Sequence, residues 1–323
     1  MIEEIKLRKQ AVYKALKESR KKKYSCFFPG CSEKAISSHS QSKSSSLKNI
    51  QENGLVFGMR QDPFAKNPMP TWKQIGLTKV STFSGFCSTH DNDLFKEVDS
   101  ISDTNLSSKS LAYLAFRTFA MEMRKKEYCD EMIDLIQNNI KKMNCDEIDL
   151  QSNNPKDGFE NCLKVTKPFY LTFFGNFLAT TEEPQMAHKT FRLRQNLGVS
   201  CSTFINPVPV FRQPIDKPQP IFAFNILPRK NYTLIIFSCA ENDLALMNNF
   251  INNNGRLEDL VFNFCEEITI NPTFFNKIPP SVLQTIDQAL LPWNMWGKKA
   301  IPDLFNVKLN NSFLWKLTDE SPL

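Results

Sequence analysis

Apolar residues at Ile5, Val12 and Leu16 recur at helical spacing and predict a helix over residues 2 to 20. Glu3 and Glu4 sit near the positive end of its dipole, and basic residues follow towards its C-terminus. A denser stripe at Leu111, Leu114, Ala115, Phe119 and Met123 predicts a buried helix, with a second helix ending near Asn144, the two forming a helical hairpin. Segments Phe191 to Phe204, Ile221 to Leu227 and Thr233 to Cys239 are aromatic and β-branched, bounded by proline, glycine or asparagine, and predict strands. Pro228 to Tyr232 supplies the turn of an antiparallel hairpin, and helices follow at 241–253, 256–266 and 279–290. Between the first helix and the body, residues 24–98 read as short strands, turns and a helix that starts at Ser44, Ser45 and Ser46 and stops at Asn53-Gly54. Pro63, Pro68 and Pro70 mark 60–74 as a loop, and the polar stretch 145–160 reads as a linker. The whole pattern is α+β, divided into an N-terminal part, 1–103, and a larger helical and antiparallel-sheet body, 104–323.

The 323 residues are 41% hydrophobic, enough to fill a core. No run of 18 apolar residues occurs, and the start is charged rather than signal-like, so the expectation is a cytoplasmic protein that does not span a membrane. Nine cysteines without a signal segment point to reduced thiols. Cys129, Cys145, Cys162, Cys201, Cys239 and Cys265, isolated from one another in sequence, read as buried core thiols. The net charge of +6 is concentrated at the N-terminus, where nine basic residues lie between Lys6 and Lys23 against the single acid Glu18. Lys14, Lys17, Arg20, Lys21, Lys22 and Lys23 are candidates for phosphate contacts to DNA or RNA, the ordinary alternative being a solvated helix face.

Four residues carry a sharper signal. Cys26-Phe-Phe-Pro-Gly-Cys31 is a turn in which two thiolates can converge, and Cys87-Ser-Thr-His90 opens a helix whose i and i+3 positions share a face. Together they make a tetrahedral zinc set. A knuckle and a helix start, separated by a hairpin, form a treble clef, which assigns an N-terminal zinc module to the first hundred residues. His39 lies at the end of the strand-like Ala35 to Ser40 and is a further ligand, a structural histidine or a base. Alternation puts it on the opposite side from Ile36.

This arrangement, Cys26-x4-Cys31, Ser38-His39-Ser40, then Cys87-x2-His90-Asp91, resembles treble-clef domains of the HNH endonuclease type. It also resembles a zinc module of uncharacterised bacterial proteins, some in phage-defence settings. The resemblance covers about residues 24 to 98. It implies that His39 activates water, that Asp91 helps to hold a second, divalent metal, and that the chain is a metal-dependent nuclease. Three features depart from the family pattern: forty-seven residues separate His39 from Cys87, Asn49 and Asn53 fall in the wrong sort of element for the middle asparagine, and Asp91 stands where a histidine is expected. Asp91 is equally an acidic residue of a first helical turn.

Two functional readings follow. One is a nucleic-acid-directed protein with His39 as base and zinc as brace. The other is a non-catalytic recognition protein, zinc purely structural, whose body binds a ligand or protein partner; the 27 phenylalanines against six tyrosines suit core or groove more than base stacking. No glycine-rich phosphate loop or nucleophile elbow is present, and His188 reads as a residue of a polar loop. Arg117 and Glu122 read as an ion pair, Glu266 and Glu267 as a surface feature, and Trp293 and Trp296 as anchors of the C-terminal tail.

Overall fold

The computed structural model describes residues 2–19, 21–60, 71–100, 106–142, 162–180, 185–207, 217–265 and 267–289, with 304, 305 and 309. Arg20, Cys145, Glu266, Trp293, Trp296 and the 145–160 segment lie outside them.

Helix α1 (Ile2–Ser19) runs antiparallel along the second half of a long helix that follows later in the chain, with Ala11 near Asn139 and Ser19 near Tyr128. Its buried positions are Ala11, Ala15 and Ser19, while Val12 and Leu16 are half-buried. The sequence stripe is thus rotated by one position, because small side chains at i, i+4 and i+8 let two helix axes approach closely.

After the knuckle come β1 (Ser37–His39), β2 (Leu55–Arg60), β3 (Thr71–Gly76), β4 (Thr82–Ser84) and helix α2 (Ser88–Ser100). The helix expected from Ser44 is a single 3-10 turn, Leu47–Asn49, since Ser42 and Ser45 side chains satisfy local backbone and hydroxyl groups in place of a helical ladder. The loop assigned to 60–74 is shorter than expected, because Thr71 onward pairs with β2.

Helix α3 (Ser108–Lys142) is continuous, so the expected helical hairpin is one helix with α1 laid against it. No proline or glycine interrupts it, and pairs such as Arg124 with Glu127 carry it through its charged middle. A π-helical turn at Cys162–Thr166 leads into α4 (Lys167–Ala179). Then follow β5 (Met186–Leu193), β6 (Val199–Ile205), β7 (Phe222–Pro228), β8 (Thr233–Ala240), α5 (Leu244–Asn253), α6 (Leu257–Phe264), β9 (Ile268–Ile270), α7 (Pro272–Lys277) and α8 (Pro280–Ala289). The single strand predicted over 191–204 is two, split where Gly198 takes a positive φ of 68°.

The main sheet is antiparallel in the order β3-β2-β9-β6-β7-β8-β5, and β1 and β4 form a separate pair. It crosses the sequence division at residue 103, because β2 joins β9 through Phe57 opposite Ile270. Every residue of β7 is buried. Phe222, Phe224 and Ile226 face α5 and α6, while Ala223, Asn225 and Leu227 face α3 and its neighbours. Full burial of each such phenylalanine stabilises by roughly 1.5–3 kcal/mol. The fold class is therefore α+β, with helices on both faces of an antiparallel sheet and a Cys/His cluster in the N-terminal lobe.

The remaining cysteines divide. Cys162, Cys201, Cys239 and Cys265 are buried, Cys129 is exposed, and the fold brings Cys201 and Cys265 within 3.6 Å of each other although they are remote in sequence. His188 lies on β5 rather than in a loop, opposite Ser238, whose hydroxyl is 2.8 Å from its Nδ1. Burial holds His188 down to about 4 from its ordinary 6.5. A depressed folded-state value means that the unfolded chain takes the proton first, so stability is full above pH 6.5 and declines as pH falls towards 4. Denaturant titrations from pH 7 to pH 4 should show a decline of up to about 3 kcal/mol from this group. His188→Asn should flatten that part of the profile; an unchanged slope would exclude His188 as the source.

Candidate metal centre and adjoining cavity

The knuckle is set by backbone bonds from Cys26 N to the Glu33 carbonyl at 2.7 Å and from Ala35 N to the Tyr24 carbonyl at 2.9 Å, with Gly30 at a φ of 79°. It is tied to the helix start by Phe27 N to Gly85 O at 2.9 Å and Ile36 N to Phe86 O at 2.7 Å. One ligand atom from each of Cys26, Cys31, Cys87 and His90 then falls within 4.8 Å of every other. His90 Nδ1 is 3.4 Å from Cys26 Sγ and 3.3 Å from Cys87 Sγ. A tetrahedral zinc ion with bonds of about 2.3 Å to sulfur and 2.0 Å to nitrogen separates those atoms by about 3.5 Å, so the donors fit. This group is close enough to hold a metal ion.

The surroundings act differently on the two buried thiols. Backbone N–H groups of Phe28 and Cys87 donate to Cys26 Sγ at 3.5 and 3.2 Å. Burial pushes the Cys26 thiol up to about 11. At Cys87 burial also pushes upward, but hydrogen bonds from the backbone of His90 and the side chain of Cys26 outweigh it and leave the thiol below its ordinary value. A dication favours the deprotonated form of both. Phe28 stacks on the His90 ring at 3.9 Å and 7°, which fixes its orientation.

Helix α3 braces the lobe from behind. Arg124 donates from Nε to Ser84 O at 3.0 Å and from Nη2 to Ser25 O at 2.5 Å, linking β4 to the knuckle. Phe27, Phe86, Phe95, Phe116 and Phe119 form one buried cluster with Cys26 and Cys87, so the metal ligands cap an aromatic core shared with the body.

A cavity of about 640 Å³ has walls that include His39, Lys43, Lys48, Asp91, Asp99 and Arg117. His39 ends β1 and Asp91 sits in the first turn of α2, so the two residues singled out in the sequence share one cavity. The ring of His39 is half-buried with Nε2 3.0 Å from the Leu77 carbonyl. A carbonyl only accepts, so Nε2 carries the proton and Nδ1 is the basic nitrogen. Ile36 is 42% exposed and buries nothing, so alternation along β1 says little about where His39 points.

Arg117 does not pair with Glu122. It makes a two-pronged bond to Asp99 at 3.0 and 2.8 Å and lies 4.0 Å over the Phe95 ring, whereas Glu122 meets Lys125 and Lys126. Lys43, Lys48 and Asp99 were not legible as site residues. Their only signal is the run of serines around them, most of which the fold buries. The basic segment stands apart: Lys14, Lys17, Lys21, Lys22 and Lys23 are exposed, and Lys22 pairs with Glu131. Among the described residues no second cluster of three or more metal donors occurs, and no helix is long and apolar enough to cross a membrane.

Metal analysis of the purified chain should find one zinc per chain. Cys87→Ala should lose it, with a stability drop of more than about 3 kcal/mol. Full stability after metal removal would exclude the centre as a brace. Compared with known proteins, the chain matches no family model, no curated protein and no solved structure, so the chemistry of the centre rests on its own geometry.

Proposed function

We propose that this chain is a zinc-braced protein directed at nucleic acid, with an HNH-like, metal-dependent phosphodiesterase site on the treble clef. The observation that carries the reading is the shared cavity, whose walls include His39 from β1 and Asp91 from α2, the latter next in sequence to the donor His90, together with lysine and arginine side chains. Zinc suits a three-sulfur, one-nitrogen set closed by four protein donors, and its role is to fix the strand and helix that carry those two residues.

In this reading a water attacks phosphorus and passes its proton to Nδ1 of His39, whose tautomer the Leu77 carbonyl holds. The bond from phosphorus to the leaving oxygen breaks, and that oxygen takes a proton from solvent. Asp91 would offer a carboxylate to a second, divalent cation, which would supply Lewis-acid stabilisation of the phosphoryl oxygens. The exposed lysines 21 to 23 provide further backbone contacts. They adjoin Glu131 of α3, about 21 Å along the helix axis from Arg117, the reach of about six nucleotides of one strand.

The second reading, zinc as a brace in a non-catalytic recognition protein, draws on the closed four-donor centre. Against it, both faces of the main sheet are covered, and the exposed large apolar residues among those described, Tyr13, Ile36, Phe169 and Leu244, are scattered.

The test is cleavage of single- and double-stranded DNA and RNA with added Mg²⁺ or Mn²⁺. His39→Ala should lower the rate by at least about 100-fold with zinc content and melting temperature unchanged. Asp91→Asn should raise the divalent-metal concentration needed for half-maximal rate. Undiminished cleavage by His39→Ala sinks the assignment, and salt-insensitive binding to a protein partner favours the second reading.

A further inference from the structure

The segment between β1 and β2 buries an unusual number of hydroxyl and amide groups. Ser40, Gln41, Ser42, Ser45 and Ser46 are each at most 6% exposed. Burying such groups is costly unless each is bonded, and a fully bonded set fixes one backbone conformation. The bonds are present. Gln41 donates to Glu267 O at 3.0 Å and accepts from Thr269 Oγ1 at 2.6 Å, which staples the segment to β9. Ser45 Oγ reaches Val98 O at 3.2 Å and Ser44 Oγ reaches Asp99 O at 2.5 Å, both at the end of α2. Arg229, at the turn between β7 and β8, donates to the Ser45 carbonyl.

The product of this framework is a rigid turn that presents cations. Lys48 N donates to Lys43 O at 3.0 Å, which folds the chain back and sets both lysines on the cavity wall. Both are exposed, and neither has an ion-pair partner among the described residues. In the same lining Arg117, only 2% exposed, keeps its Nε without a hydrogen-bond partner while Asp99 engages the other two nitrogens. Lysine ammonium groups on a stiff backbone, in one cavity with a buried guanidinium, make a cationic site with little backbone ordering left to do on binding.

We infer that the serine-rich turn is a phosphate cradle: Lys43 and Lys48 grip a backbone phosphate of a nucleic-acid strand in the cavity lined by His39 and Arg117. The inference deepens the reading above by moving the principal strand contacts from the N-terminal helix to this turn. A strand, rather than a free nucleotide, is the ligand, because the lysines are exposed at the rim and lysines 21 to 23 lie within a few nucleotides' reach.

The experiment is fluorescence anisotropy with a short labelled single-stranded DNA over a series of KCl concentrations, without added Mg²⁺ or Mn²⁺ and with the probe checked for intactness after each titration. Lys43→Ala/Lys48→Ala should weaken binding about tenfold or more and reduce the slope of log affinity against log salt by about 0.7, one phosphate neutralised on a single strand. Lys14→Ala/Lys17→Ala should change the slope by less. Both lysine pairs are exposed, and zinc content with the melting temperature confirms folding of each variant. An unchanged slope in the Lys43/Lys48 variant overturns the cradle, and 5′-AMP binding as tightly as the strand overturns the choice of ligand. The two readings fail separately. If His39→Ala cleaves normally while the Lys43/Lys48 variant loses binding, the cradle stands without the nuclease. If only His39→Ala is impaired, in cleavage, the nuclease stands without the cradle.

Discussion

From Ser110 to Met123 helix α3 is buried on nearly every side, and the remainder of the structure is arranged around that constraint. A helix buried all round must meet a partner on each face. One face, Ala112, Ala115, Phe116, Phe119, Ala120 and Met123, packs on the metal lobe and α4. Another, Leu111, Leu114 and Thr118, meets the sheet, where Thr118 Oγ1 bonds Ser202 at 2.9 Å and Asn225 at 3.1 Å. The polar residues on the helix are bonded across these interfaces and so fix its rotation as well as its position.

The same helix makes the metal lobe part of the body. Arg124 holds the knuckle and β4, Arg117 holds Asp99 at the end of α2, and the phenylalanines behind the ligands belong to one core. The chain between the paired strands β1 and β4 runs out to give the β2–β3 hairpin to the main sheet and returns. That excursion is the physical content of the forty-seven residues between His39 and Cys87. It also builds the cavity, since the serine-rich turn lies on it.

The Cys/His cluster and the polar framework divide the work. The four donors set the spacing of the knuckle and the α2 start, and thereby of Asp91. The hydrogen-bonded turn sets Lys43 and Lys48 relative to α2 and β9. Two supports that are distant in sequence thereby fix the backbone on which the cavity-lining side chains stand.

The sequence by itself determined the α+β class, the helix from Ile2, the hairpin of β7 and β8, the C-terminal helices and the four metal donors, because each is encoded by local spacing. Period 3.6, period 2 and the x4 and x2 ligand intervals need no knowledge of distant residues. Only tertiary structure decided that Arg117 pairs with Asp99, that His188 is a strand residue, that α3 does not turn back on itself, and that β2 and β3 complete the main sheet. These depend on contacts between segments tens to hundreds of residues apart. A serine run reads as solvent-exposed until the fold supplies partners such as Thr269 and Val98, and buried polar groups acquire their meaning only from those partners.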